Sequence, residues 1–212
     1  MRWALNRLAL AITSMVALAF LVPLTLATRQ IAYDRAISDA RQQATEDPQA
    51  ALRQLAARLR ERAAPPAVHQ CYRELLHRQG LRDDLLVHGQ IWIAALIAQG
   101  ESRRALGVLQ ECIGIDASFV PDDPQTCGAL ADLAARLGMS RLAIHLGQGY
   151  VAHWPRDPLA PHYGLLAARA FAAHPDKHAR AAALLDRLIA AWPEHPLRGE
   201  IDAQRRQLAS PA

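Results

Sequence analysis

Aromatic residues make up only 5% of this 212-residue chain, and Val, Ile, Thr and Tyr nowhere alternate with polar residues at a period of two. A sheet is built from such residues in such an alternation, so strands have almost no support. Lysine is nearly missing as well. Lys177 stands alone, and the positive side of the +4 net charge is otherwise Arg. These arginines are scattered along the chain and interrupted by Asp and Glu. A nucleic-acid binder concentrates its charge on one face or stripe, so no nucleic-acid partner is expected, and Arg is read as solvating the outer faces of helices. Three cysteines are too few for a disulfide framework and lack zinc spacing. No Gly-rich phosphate loop, Gly-x-Ser-x-Gly elbow, His-Glu-x-x-His pair or Cys-x-x-Cys motif is present. Nothing marks the chain as an enzyme, and no cofactor or small-molecule substrate is implied.

The chain does have apolar residues, 51% of the total, with Ala, Leu and Arg dominant. These residues lose little side-chain freedom in a helix, and the composition is that of an all-α protein. The longest apolar run comes first. Leu8 to Leu26 carries no charge, and at about 1.5 Å per residue it spans roughly 28 Å, close to the hydrocarbon thickness of a bilayer. Thr13, Ser14 and Thr25 can return their hydroxyls to helix carbonyls, and Pro23 lies near the far end. Residues 8–26 are therefore expected to cross the bilayer. Arg2 and Arg7 before the run and Thr25-Leu26-Ala27 at its end also fit a secretory signal cleaved after Ala27, but the run exceeds a usual signal core. Arg29, Arg35 and Arg41 follow the span, so the charge count gives little orientation. A short leading N-terminus and a long following domain point to the C-terminal side being outside the cytoplasm.

The stretch from Leu8 through Ala44, reading LALAITSMVALAFLVPLTLATRQIAYDRAISDARQQA, resembles the opening of bacterial sensor histidine kinases, in which a first membrane helix leads into a charged extracytoplasmic helix. The resemblance implies membrane topology. The chain has no second span, no phospho-acceptor His in a dimerisation helix and no nucleotide-binding boxes. With no Gly or Pro between Leu26 and Thr45, the first helix is expected to run on to about residue 44, with Ile31, Ala32, Ile37 and Ala40 as its apolar stripe.

Beyond residue 46 the chain reads as helix after helix. Asp47-Pro48 opens one, as N-cap and first helical residue, and Pro65-Pro66 breaks it. Others run over about 67–79, 83–99 and from 102. More follow over 124–137, 140–154, 159–173, 177–192 and 197–208. The segment LLVHGQIWIAALIAQG is apolar almost all round and should be the most buried helix, while its length, His88, Gln90 and Gln99 argue against a second span. Leu96, Leu109, Leu130, Leu133, Leu142 and Leu185 are expected in the core.

Internal echoes organise these helices. Asp47-Pro48-Gln49 returns as Asp123-Pro124-Gln125. Leu55-Ala56-Ala57-Arg58-Leu59 returns as Leu133-Ala134-Ala135-Arg136-Leu137. Trp154-Pro155 and Asp157-Pro158 are echoed by Trp192-Pro193 and His195-Pro196, and Gly100 and Gly138 both fall between paired helices. One unit supplies Leu130, Ala131, Gly138, Ala143 and Pro155; the unit before it supplies Gly100, Ala105 and Leu109, and the last keeps Ala181, Leu185 and Pro193 with Asp176 in place of the turn Gly. Over residues 83–196 this pattern resembles tetratricopeptide repeats. The resemblance implies an antiparallel helix-pair solenoid in which small residues let paired helices approach, and a concave face meets a protein partner.

Candidates for chemistry are sparse. His174 and His178 have metal-ligand spacing on a helix, but Pro175 keeps His174 out of helical geometry, so no metal site is expected. His153, His162 and His195 read as helix-end residues meeting free carbonyls. Cys71 lies near His69 and His77, but His69 faces elsewhere on a helix; Cys112 and Cys127 sit on apolar faces. All three read as buried small residues, with a Cys112–Cys127 disulfide as the competing possibility. Asp132 and Arg136 read as a solvated i,i+4 pair.

The expected organisation is an anchor over residues 1–28, a charged juxtamembrane helix over 29–46 and a helical repeat domain over 47–209. The expected function is a single-pass scaffold in the bacterial inner membrane. Its repeat domain would be periplasmic and bind an unidentified protein partner, with the bilayer engaged through residues 8–26. A sensory membrane component, or a secreted helical protein if the segment is removed, are the alternatives. Mass spectrometry of the mature chain should return the mass of the whole sequence from the membrane fraction; a chain beginning at Thr28 would identify a cleaved signal.

Overall fold

The computed structural model describes residues 27–61 and 64–209, and among these the fold is all-helical with no strand. The run Leu8–Leu26 lies outside the described residues. Among those described, no helix is long and apolar enough to cross a membrane. The chain forms two compact units that divide between Leu85 and Leu86.

In the first unit, helix α1 covers residues 27–43, followed by α2 (Pro48–Leu59) and α3 (Pro66–Arg78). The expected continuous charged helix is present over its described part, but the apolar stripe is shifted. Tyr33, Ala36, Ile37 and Ala40 are buried, whereas Ile31 is 62% exposed and Ala32 is exposed too. The buried set steps by three and four residues, the period of one helix face, whereas Ile31 and Ala32 lie outside that arc. Ala51, Leu52 and Leu55 of α2 and Val68, Cys71, Leu75 and Leu76 of α3 complete this core. The Tyr33 hydroxyl donates to Glu61 at 3.1 Å, and Arg41 meets Glu74 at 3.4 Å.

Helix α4 (Arg82–Ala98) is followed by α5 (Ser102–Ile115), α6 (Pro124–Arg136), α7 (Ser140–His153), α8 (Ala160–Ala172), α9 (His178–Ala191) and α10 (Arg198–Ala209). From α6 to α10 each helix packs on the next, and α8 also touches α6 and α10. This is the arrangement of antiparallel pairs stacked side by side. One core joins Trp92, Ile93 and Leu96 of α4 to Ala105 and Leu109 of α5, Leu130 of α6 and Leu146 and Tyr150 of α7. A second joins Leu165 and Phe171 of α8 to Leu184, Leu185 and Leu188 of α9 and Ile201 of α10. Of the six leucines expected inside, five are buried and Leu133 is half-buried.

The sequence echoes are echoes of local geometry. Asp47 and Asp123 both cap a helix that begins with Pro, accepting from the amides of Ala50 at 2.9 Å and Thr126 at 2.7 Å. Gly100 and Gly138 take φ of 77° and 68°, left-handed values that a side chain disfavours. At both, the next amide reaches back to the carbonyl five residues earlier, Glu101 to Leu96 and Met139 to Ala134, which closes the helix end. Trp154 and Trp192 end their helices with nearly the same backbone angles. Where Asp176 replaces the turn Gly, a 3₁₀ turn over Pro175–Lys177 makes the connection instead.

The apolar helix α4 is not the most buried element. Val87 and Ile91 are 61% and 63% exposed, and Ala94 and Ala98 are exposed on the same side. An apolar composition on every side does not supply a neighbour on every side. That position belongs to α8, in which eight of thirteen residues are buried. It lies between α7 and α9, and both approaches need glycine. A Cβ on Gly147 would stand 2.5 Å from the Tyr163 carbonyl oxygen and 2.9 Å from the Ala167 Cβ; one on Gly164 would stand 2.5 Å from a Leu188 methyl.

Gly147→Ala should therefore destabilise the fold by about 1–3 kcal/mol through overpacking against backbone. Gly107→Ala, on the exposed side of α5 with nothing within 4 Å of the new Cβ, should stabilise it by about 0.5–1 kcal/mol. Urea denaturation of the two variants measures both signs; equal shifts would contradict the close approach of α7 and α8.

Candidate partner-binding groove

Helices α6 and α8 carry equivalent positions at a 34-residue step, the step from Asp123-Pro124 to Asp157-Pro158, and α10 continues it. On that step Asp132, Leu166 and Glu200 correspond. Between α6, α7 and α8 lies a hollow of about 370 Å³ walled by Ala135, Gly138, Ala143, Ala170 and Ala173, with Leu166, His162 and Arg169 facing it. Small residues make the wall because anything larger would fill it.

One ion pair and one imidazole–carboxylate contact flank the hollow. His162 Nε2 lies 3.6 Å from Asp132 Oδ1, and Arg169 Nη2 lies 2.8 Å from Glu200 Oε2, with all four side chains substantially exposed. Exposed pairs contribute on the order of 0–1 kcal/mol, so either can exchange its partner for a ligand group at little cost. Asp132 does not pair with Arg136 as an i,i+4 neighbour. Its carboxylate is turned to the neighbouring helix, where it meets His162 and accepts the Tyr163 hydroxyl.

Tyr163 supports this arrangement from below. Its ring packs edge-on to His162 at 4.9 Å and against Tyr150 at 4.3 Å. Its hydroxyl occupies the place that a side chain on Gly128 would take. Burial, then the charge of Asp132, pushes the phenol up to about 12. Tyr150 is pushed up too, by burial and by Asp157, which accepts its hydroxyl. Both phenols stay neutral donors, so Asp132 keeps its position.

Other histidines meet backbone carbonyls. His153 meets the Gly149 carbonyl at 2.8 Å and His195 the Pro158 carbonyl at 3.2 Å. His162, expected to serve in the same way, faces Asp132 instead, because it sits in the first turn of α8 on the side turned to α6. His174 is extended, as a residue before Pro is, and His178 is engaged with the Ala172 carbonyl at 3.0 Å, so the two do not converge. Among the described residues no three His, Cys, Asp or Glu side chains are grouped as metal ligands.

The three cysteines are buried and none forms a disulfide, so Cys112 and Cys127 are not paired. The Cys127 thiol is directed at α7, where it lies 3.8 Å from the Leu146 carbonyl, and burial followed by the charge of Asp123 pushes it up to about 12. Burial also raises Cys71, opposed by Arg41. Neither thiol is the ionised nucleophile that covalent catalysis requires.

Sequence reasoning passed over Asp132, His162, Leu166, Arg169 and Glu200 as a set. The 34-residue step superposes three of them, but only the packing of α6 and α8 shows that they face one hollow. No protein-family profile matches the chain, and no curated protein or solved structure is significantly similar to it.

Native protein at pH 8 should resist iodoacetamide at all three cysteines, and denatured protein should take up three labels. The buried Cys127 thiol is protonated in both folded and unfolded chains below the ordinary thiol range, so its contribution to stability is full there. It is lost as pH rises toward about 12. Native labelling of Cys127 at pH 8 would contradict this burial.

Proposed function

We propose that the chain is a membrane-anchored helical-repeat scaffold that holds a segment of a protein partner in the groove of α6, α7 and α8, beside Glu200 of α10. The observation that carries this reading is the small-walled hollow flanked by the exposed Arg169–Glu200 ion pair and the exposed His162–Asp132 contact. An apolar side chain of a partner fits the hollow over Leu166, and polar groups on either side of it can replace Asp132–His162 or Arg169–Glu200. The stacked helix pairs and the 34-residue step support a tetratricopeptide-like architecture, in which such a groove is the working surface. Buried, protonated thiols and histidines engaged with carbonyls favour binding over catalysis. The uncharged run 8–26 supports a single span, with the helical domain on the periplasmic side of the bacterial inner membrane.

The test is co-purification of the full chain from membranes. Ala135→Trp fills the hollow from an exposed position, and Arg169→Glu reverses one charge. Each should lower recovery of the partner about tenfold or more, as loss of a central contact does. Ala117→Trp, on an exposed loop away from the groove, should leave recovery unchanged. If no protein distinguishes the wild type from both groove variants while melting temperatures agree, the reading fails.

A further inference from the structure

The arginines that look scattered in the sequence are segregated in the fold of the second unit. Because α4 to α9 alternate in direction and neighbours are joined by short connections, the turns within pairs (α4–α5, α6–α7, α8–α9) share one edge. The connections between pairs (α5–α6, α7–α8, α9–α10) share the opposite edge. The first edge carries Arg103, Arg104, Arg136, Arg141, Lys177 and Arg180, opposed by Glu101 and Asp176. All but Lys177 are exposed, and of these cations Arg104 is ion-paired, to Glu101. The opposite edge carries Asp116, Asp122, Asp123, Asp157, Glu194 and Glu200, with Arg156 and Arg198. Four of those carboxylates are fixed by local hydrogen bonds: Asp116 to Ser118, Asp122 to Gln90, Asp123 to Thr126 and Asp157 to Leu159. The unit thus has a charge dipole along its helices, across roughly 20 Å, the length of about 13 helical residues.

One apolar side chain stands out on the basic edge. Leu137 is 43% exposed at the tip of the α6–α7 turn, next to Arg136 and near Arg141. Its backbone is pinned: its amide bonds to Leu133, and the following Gly138 and Met139 amides close the helix end. Exposure is therefore built into the turn.

We propose that this edge docks on an anionic lipid surface, with the cations at the headgroups and Leu137 entering the boundary between headgroups and acyl chains. Cations around a projecting apolar side chain are the chemistry of an interfacial contact. A cation close to an anionic bilayer gains roughly fivefold in partitioning, so five or six together are decisive where one is not. The acidic edge is repelled and turns outward, which fixes orientation. A second copy is a poorer occupant, because the carboxylates it would offer are already held in caps and turns. A single-stranded nucleic acid is poorer too, since the edge presents no Phe, Tyr or Trp for stacking. The docking edge adjoins the hollow, whose wall includes Ala135 and Gly138 on either side of Arg136-Leu137, and it rests on the anchor reading only for keeping the edge near a bilayer.

The full chain, with a nitroxide at Leu137→Cys or at Ala117→Cys on the opposite edge, is mixed with vesicles of phosphatidylcholine alone or with a third of phosphatidylglycerol. A water-soluble relaxing agent reads accessibility, and flotation reads binding. The label at position 137 should be protected in anionic vesicles and not in neutral ones, and the label at 117 in neither. Protection should vanish in high salt. It should weaken about 25-fold in apparent affinity in Arg136→Gln/Arg141→Gln, which adds no carboxylate at the end of α6. Equal accessibility at position 137 in both vesicles overturns the proposal, as does equal protection in detergent without vesicles, which would mark a protein contact. Flotation with neutral vesicles reports the anchor by itself. Failure to float with them removes the anchor reading and leaves the comparison of anionic with neutral vesicles intact.

Discussion

The second unit depends on how closely two helices come to α8. The backbone of α7 at Gly147 lies against the Tyr163 carbonyl and Ala167, and Leu188 of α9 lies against Gly164. At these separations there is no room for a methyl group. The close approach brings Tyr163 within reach of Tyr150, Gly128 and Asp132, and so links α6, α7 and α8 through one side chain. If α8 moved outward by the width of a methyl group, the groove wall and its flanking contacts would move with it. Dispersion falls off steeply with such gaps, which is why the packing tolerates so little change.

Small residues have a second consequence. At Gly147 and Gly164 they let helices approach; around Leu166 they leave a hollow. Ala135, Gly138, Ala143, Ala170 and Ala173 surround a space that their short side chains do not fill. The groove is the remainder of a packing problem solved nearby. Its charged groups stay in water, where they remain available for exchange.

Many elements were legible in the residues. Asp-Pro starts, Gly turns and Trp-Pro ends reappear as caps, left-handed glycines and matching terminal angles, because these are local properties of a few consecutive residues. The core leucines were legible too, since helical spacing assigns them to a face. The misjudged places were those that need a neighbour. Helix α4 looked most buried but exposes Val87 and Ile91. The stripe of α1 was shifted away from Ile31. Asp132 was given to Arg136 within its own helix, whereas His162 and Tyr163 on α8 hold it.

The same division governs charge. The sequence by itself determined the all-helical character of the described residues, the limits of their helices, the repeat-like step and the predominance of arginine over lysine. Each follows from propensity, capping or periodicity, which act over one or two turns. Tertiary structure decided which helix is central, which small residues make contacts and which make a hollow. It also decided that, within the second unit, arginines far apart in the chain share one edge while Asp116, Asp122, Asp123 and Asp157 share the other. A residue's place along its helix is a local matter. Its place in space depends on the direction of that helix in the stack, and direction is set only when the pairs fold back on one another.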